Sequence, residues 1–336
     1  MKTTSIKLWL SIILGSIIAI VLVGGTTRLT GSGLSMVDWN LIMGSIPPLS
    51  EAQWLITFDA YKAFPQYQQI NIHMSLSEFK GIFFWEYTHR MLGRVIGLLI
   101  LIPYCVFRWK KSLSPRLSKQ GLWLVSLVVL QGLVGWVMVK SGLVDDPHVS
   151  HFRLATHLLL AFLLFQVTFW VLQEQFRGKT SVRPLNKTAK HAWGLTGLLV
   201  LQITYGAFTA GTRAGLYYNT FPKMGADWLP QTSWGLMPLI TNFFNNPVMI
   251  QFIHRTLAYT LTAVTIWFGV RFLKTLNKTQ KRWYIVFSHA LILQILLGIA
   301  TLVLMVPISL ALLHQLVALG LLTASIGLNT SLSNSD

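Results

Sequence analysis

The chain has 336 residues, of which 53% are hydrophobic and only 11% charged. Soluble domains carry about a quarter charged residues, so this composition excludes an ordinary soluble protein and points to the membrane. The formal net charge is +17, from 27 Lys and Arg against 10 Asp and Glu. On a soluble chain that balance would suggest nucleic acid, but here the charges lie between apolar runs, where they set topology instead. The single cysteine, Cys105, lies in an apolar run; it rules out an internal disulfide or a thiolate metal site and reads as a small buried hydrophobe.

Taken in chain order, eight apolar segments predict spans at 8–27, 83–107, 120–140, 152–174, 191–211, 248–272, 284–305 and 308–328. Each is near the ~20 residues that cross a hydrocarbon core. Backbone groups in lipid must be satisfied within the segment, so all eight are helices. The first follows Lys2 and Lys7 as a signal peptide would, but its run from Leu8 to Gly24 is long enough to span and no A-x-A site follows it. The long connections 28–82, 141–151 and 212–247 fall on one side with a short turn around Pro307. The other side carries 17 of the 27 basic residues, from Lys2 and Lys7 through the groups at 108–119, 177–190 and 271–282, with only Glu174 and Asp336 as acids. The positive-inside rule then puts both termini in the cytoplasm.

An internal repeat organises these spans. Glu86-Tyr87-Thr88-His89-Arg90 matches Gln251-Phe252-Ile253-His254-Arg255. Leu130-Gln131-Gly132-Leu133-Val134-Gly135 matches Leu293-Gln294-Ile295-Leu296-Leu297-Gly298, and Thr27-Arg28 with Gly31-Ser32-Gly33-Leu34 matches Thr212-Arg213 with Gly215-Leu216. The expected fold is therefore an all-α integral membrane protein of two repeated four-helix bundles, 1–180 and 181–336. Four spans per copy is an even number, so the copies cross in the same sense, related by a pseudo-two-fold along the membrane normal.

Of nine histidines, four occupy matching places within spans: His89, His157, His254 and His314. His254 follows Pro247 by seven residues and His314 follows Pro307 by seven, which places both about 10 Å down their helices at ~1.5 Å per residue. Each half thus presents two imidazoles at similar depth on parallel helices, the donor set that a heme iron takes on its two faces. Intramembrane polar side chains are costly and mark function by default; a lone histidine could still be an interhelical hydrogen-bonding group. Zinc fits less well, with no cysteine and no His-x-x-x-His pair at these positions. His73 and His191 read as solvated. His148 and His151, near Asp145 and Asp146, read as surface groups at the outer mouth, and His289 as a structural hydrogen-bonding residue. Gln131 and Gln294 read as hydrogen-bonding groups between helices.

Glu86 lies three residues before His89, on the same helix face, and its counterpart in the other half is Gln251. One pocket keeps a carboxylate that could take protons or stabilise developing positive charge, unless it pairs with Arg90 one turn on. Arg90 and Arg255 are equivalent and suit heme propionates; Arg28 and Arg213, at the outer ends of the first and fifth spans, suit the same role or snorkelling. The expectation is a division of labour, with a heme-like substrate transformed between His89 and His157 and a permanent heme held by His254 and His314.

Thr27-Arg28-Leu29-Thr30-Gly31-Ser32-Gly33-Leu34-Ser35, Pro47-Pro48, Tyr61-Lys62-Ala63-Phe64-Pro65, Glu86 to Arg94 and Gln131-Gly132 resemble heme A synthase, across essentially the whole chain. The resemblance implies a bacterial inner-membrane oxidoreductase that oxidises the C8 methyl of heme O to a formyl group, with water as the oxygen source, giving heme A for cytochrome c oxidase. It implies His89 and His157 as ligands of the substrate heme, His254 and His314 as ligands of resident heme b, and Glu86 as the catalytic acid. Heme O synthase, cytochrome c oxidase assembly factors and a second copy of the chain are the partners such a role would bring. Some members carry a cysteine pair in the first outer segment; residues 28–82 have none, which sets this chain with the branch lacking it. The competing readings are a bis-histidine cytochrome b that only transfers electrons, which does not explain Glu86 against Gln251, and a repeat-built transporter, which would need helices broken at mid-membrane.

Overall fold

The computed structural model describes residues 2–37, 43–140, 147–177 and 186–333. It is all-α, and eight of its helices are long and apolar enough to cross a membrane. The backbone forms two compact units, Met1–Phe176 and Arg177–Asp336. Asp145, Asp146, Lys179, Arg183 and Asp336, used above for topology or for the outer mouth, lie outside the described residues.

The first unit contains the spanning helices α1 (Lys2–Leu29), α4 (Leu76–Trp109), α5 (Pro115–Lys140) and α6 (His151–Arg177), with α2 (Glu51–Lys62) and α3 (Pro65–Gln69) between the first two. Helix α1 is apolar all round, as a lipid span is. It buries the stripe Ile6, Leu10, Ile13, Ile17 and Val21, at three- and four-residue steps, and leaves Leu8 and Ile12 outward. Its partner is α4, where Trp9 donates its indole N–H to the Leu99 carbonyl at 2.7 Å. Two charge-assisted bonds tie α5 to α6: Arg116 pairs with Glu174, and Gln120 donates to the same carboxylate at 2.7 Å.

Helix α4 starts seven residues before the predicted span. Ser75 and Glu78 form a capping box, which satisfies free N–H groups at the helix start and lets the helix run on beyond its apolar stretch. Against that extension the first outer segment folds into an aromatic cluster of Phe58, Tyr61, Phe79 and Phe83 around Met36. Tyr61 donates to Gln66 and accepts from Asn71, while Gln66 ties the cluster to the Gly31 carbonyl at 2.9 Å. The Tyr61–Pro65 motif is therefore the seam between α2 and α3. Burial pushes the Tyr61 phenol above its usual range.

The second unit contains the spanning helices α7 (Lys187–Gly211), α9 (Pro247–Phe272), α10 (Lys278–Val303) and α11 (Ile308–Ser333), with the short α8 (Asn242–Asn245) before α9. Helices α7 and α11 share a buried polar contact: Thr196 and Ser325 hydroxyls lie 2.6 Å apart, and Asn329 donates to Thr196 at 2.7 Å. Such interhelical bonds replace the water that lipid cannot supply. Helix α9 begins where Asn246 caps it and Pro247 supplies a preset first residue. One expectation changes here: Cys105 is exposed on α4, beside the outward-facing Leu101, Ile102 and Val106. It lies on an exposed apolar face of α4 rather than in the interior of its unit.

Candidate functional site

The four intramembrane histidines stand in the N-terminal halves of α4, α6, α9 and α11. His157, His254 and His314 lie six or seven residues below the first residue of their helices, and His89 lies deeper along α4 because that helix is extended. In the first unit the rings of His89 and His157 lie edge to face, 68° between planes, with centroids 6.4 Å apart. Two nitrogen–metal bonds of about 2.0–2.1 Å in line, plus roughly 1.1 Å from each nitrogen to its ring centre, span about 6.3 Å. The centroid spacing of this pair matches that span. In the second unit His254 and His314 lie within electrostatic range of each other. Among the described residues no three His, Cys, Asp or Glu side chains come together as a metal site; the histidines meet as pairs.

The pairs also fit a heme by their unused bonding capacity. Nδ1 of His157, His254 and His314 is buried without a hydrogen-bond partner, as are Oε1 of Gln131, Gln251 and Gln294. Orphaned buried polar atoms are rare and call for an explanation. Each histidine also packs on a glycine of the preceding span. A Cβ would stand 2.9 Å from the His89 ring at Gly24, 2.9 Å from His157 at Gly135, 3.0 Å from His254 at Gly206 and 3.0 Å from His314 at Gly298. Any larger residue there would push the imidazole out of place.

Beside the first pair, Glu86 is buried and fully engaged. Oε1 accepts from Arg90 at 2.6 Å, and Oε2 accepts from the Ser35 hydroxyl at 2.7 Å and the Met36 amide at 2.8 Å. Arg90 in turn donates to the Met36 carbonyl at 2.8 Å. In the second unit the equivalent residues take the equivalent backbone position. Gln251 donates to the Tyr218 carbonyl at 3.0 Å and Arg255 donates to it at 2.9 Å. Arg255 also reaches the carbonyls of Thr220, Pro222 and Lys223. With Gly33-Leu34 set against Gly215-Leu216, Met36 corresponds to Tyr218. Both arginines therefore secure the segment that follows the first span of their own unit. Arg28 is half-buried near the end of α1, and Arg213 is exposed where the chain leaves α7 in a left-handed conformation.

Gln131 donates to His157, with Nε2 3.1 Å from its carbonyl and 3.3 Å from its ring Nε2; Gln294 lies 3.1 Å from His314 Nε2. These are the bonds between helices expected from the sequence, and their partners are the site histidines themselves. His289 and His191 hydrogen-bond within their own helices, to the carbonyls of Ile285 and Lys187, and His73 is exposed in a turn. Sequence reasoning missed the four glycines, Ser35 and the Met36 backbone. The glycines had a signal: Gln131–Gly135 and Gln294–Gly298 share one spacing within the repeat.

This is an eight-span membrane protein whose intramembrane histidines each pack on a glycine of the preceding span. The cytochrome oxidase assembly protein family COX15-CtaA matches residues 7–326. A heme A synthase of Bradyrhizobium sp. (strain ORS 278) is 44% identical over 328 residues, 96% of this chain and 90% of the relative. A heme A synthase of Nitrosospira multiformis is 43% identical over 332 residues, 97% and 93% of the two chains. One from Flavobacterium johnsoniae is 41% identical over 336 residues, 96% of each. The chain belongs to the heme A synthase family, COX15-CtaA.

Proposed function

We propose that this protein is a membrane oxidoreductase that converts heme O to heme A, oxidising the C8 methyl group to a formyl group with water as the oxygen source. The observation that carries this reading is the His89–His157 pair, set 6.4 Å apart beside the Glu86 carboxylate, in a chain of this family. The conversion removes two hydrogens and adds one oxygen in two two-electron steps, so the pocket must hold a heme by its iron and place a charged group near its rim. His89 and His157 bind the substrate iron. Glu86, held in place by Arg90, Ser35 and Met36, presents a carboxylate that stabilises positive charge or accepts a proton. Arg28 offers a cation at the outer end of α1 for a substrate propionate.

The second unit holds heme b between His254 and His314, with Arg213 and Arg255 on its outer side. That group supplies one-electron transfer when bound. The unpartnered Nδ1 atoms and the glycine walls support this assignment. The two units are repeated four-helix bundles related by an axis along the membrane normal, in the bacterial inner membrane with both termini cytoplasmic, and the product serves cytochrome c oxidase assembly.

The test is to supply the purified protein with heme O and an electron acceptor, then extract and weigh the hemes. A product two hydrogens poorer and one oxygen richer is the expected result. Two stable low-spin b hemes with no conversion would make the protein an electron-transfer cytochrome.

A further inference from the structure

The second unit exposes apolar side chains where its sequence carries no charge. No Asp, Glu, Lys or Arg lies between Asp227 and Arg255, or between Arg282 and Asp336. These stretches supply the chain that enters α9 and the turn that joins α10 to α11, both at the end where α9 and α11 begin. There Met237 is 81% exposed, Ile240 62% and Met305 59%, and Leu239, Phe244 and Leu304 are exposed as well. Large apolar side chains grouped in this way mark an interaction surface. The exposed Leu49, Leu55 and Ile56 of the first unit differ, since Glu51 and Asp59 stand exposed among them.

Helix length fixes the depth of this surface. Basic residues mark the opposite ends of the two helices, Arg282 on α10 and Arg271 on α9. At ~1.5 Å per residue, about 30 Å of helix runs from Trp283 to Val303, and about 30 Å from Val270 back to Ile250. That is the thickness of a hydrocarbon core, roughly 30 Å. The turn at Met305 and the residues just before Pro247 therefore fall at the boundary between acyl chains and headgroups. The chain before α9 stays close to that level. Asn246 donates to the Thr232 carbonyl at 2.8 Å. Asn242 donates to the carbonyls of Leu236 and Leu239 at 2.8 and 3.0 Å and accepts from the Leu236 amide at 2.9 Å. Both asparagines are buried. They satisfy within the protein the backbone groups that a water-facing loop leaves to solvent, which irregular chain beside hydrocarbon requires.

The turn points the same way. Met305 and Val306 have φ of 62° and 61°, a left-handed conformation that usually falls to Gly or Asn. Val306 packs inward, its Cγ2 3.2 Å from where a Cβ would stand on Gly215, and Met305 is turned outward. Residues chosen for turn geometry would be polar or small; these are chosen for apolar surroundings.

We propose that this surface seats the second unit in the lipid of the membrane it crosses. Met237, Leu239, Ile240, Phe244 and Met305 insert among phospholipid acyl chains just below the headgroups, and Trp234 lies at the headgroup level, where tryptophan concentrates. The occupant is lipid and not protein, because a protein-facing patch carries a polar, charged rim. The seat fixes one end of the α7–α9 segment, as Arg255 fixes the other through the Tyr218 and Thr220 carbonyls.

Fluorescence quenching tests this in the full-length protein, reconstituted in vesicles of phosphatidylethanolamine and phosphatidylglycerol. Ile240→Cys and Met305→Cys, each combined with Cys105→Ala, carry a bimane label, and Asp227→Cys is the water-side reference. A phospholipid with a doxyl group near its carbonyl should quench the labels at 240 and 305 several-fold more than the label at 227, and iodide in the buffer should do the reverse. Iodide quenching at 240 and 305 equal to that at 227 would put the surface in water and overturn the proposal. Protection from both quenchers would overturn it in favour of a covering protein, such as a second copy of the chain. The unmodified protein gives an independent reading if the labelled variants do not fold. A phospholipid with a diazirine near its glycerol should cross-link to peptides covering 234–246 and 303–308; adducts on the spans but none on these peptides would refute the lipid seat.

Discussion

Replacing Glu86 by glutamine tests how the first outer segment is held. The Glu86 side chain is 3% exposed and that of Arg90 9%, so the ion pair is effectively out of water. The carboxylate accepts from three donors: Arg90, the Ser35 hydroxyl and the Met36 amide. Glutamine keeps one oxygen and turns an NH2 toward the donors at the other, so at least one bond becomes a donor–donor contact and Arg90 loses its counter-charge. Breaking a buried pair by removing one partner costs about 3–5 kcal/mol. If opening of residues 35–36 limits exchange of the Met36 amide, that cost accelerates its hydrogen exchange by roughly 10²–10⁴-fold. Hydrogen-exchange mass spectrometry on the detergent-purified variant measures this, with peptides from α7 and α11 as the internal reference. Turnover of heme O should fall as well. Unchanged exchange in the 30–37 peptide would refute the reasoning that this carboxylate anchors the segment; lost turnover with unchanged exchange would leave Glu86 a purely chemical role.

Four further outcomes follow from the same geometry. Arg255→Lys should expose the 214–246 segment to limited proteolysis, because an ammonium cannot span the four carbonyls that the guanidinium reaches. Thr196→Val should lower the thermal stability of the purified protein by about 0.6–2 kcal/mol, the range for hydrogen bonds between membrane helices, since it removes the partner of both Ser325 and Asn329. Gly269→Ala should cost about 1–3 kcal/mol by overpacking, because its Cβ would overlap the Tyr284 hydroxyl, which donates to the Thr265 carbonyl; Tyr284→Phe in the same background should recover part of it. Above pH 10 the folded protein keeps the Tyr61 proton that the unfolded chain gives up, so stability contributed by this group falls as pH rises from the ordinary tyrosine value of about 10 toward its raised folded value. In an alkaline melting series Tyr61→Phe should flatten that decline.

The spans were legible because lipid leaves one solution for the backbone, and the observed helices lie within six residues of the apolar runs except at α4, which starts seven before. There the apolar run begins near Phe83, but the capping box at Ser75 and Glu78 starts the helix; that is a local hydrogen-bonding signal which a hydropathy reading passes over. The first outer segment was opaque for a different reason. Its core depends on Phe58, Tyr61 and Phe79 meeting across two helices and a turn, and no periodicity within 28–82 announces that meeting. Cys105 was misjudged because membership of an apolar span does not say which face is turned to lipid. The histidine pairs were readable from the repeat, while the glycines behind them were not, since a glycine in a membrane helix has many uses until its neighbour is known.

The comparison of Glu86 with Gln251 takes a different form once their contacts are known. Both residues, with the arginine one turn on, grip the same position of the chain that leaves the first span of their unit, Met36 in one case and Tyr218 in the other. What differs is polarity. Glu86 takes the backbone N–H and the neighbouring Ser35 hydroxyl; Gln251 gives to the backbone C=O. A carboxylate has no hydrogen to give a carbonyl, and an amide in place of Glu86 could not accept at both oxygens. The exchange of acid for amide between the copies therefore follows which backbone group the side chain grips, the N–H of Met36 or the C=O of Tyr218, as well as any chemistry on the substrate. The structural grip is common to both halves, so it does not account for a charge in only one of them. The anion is the added element of the first unit, beside the His89–His157 pair.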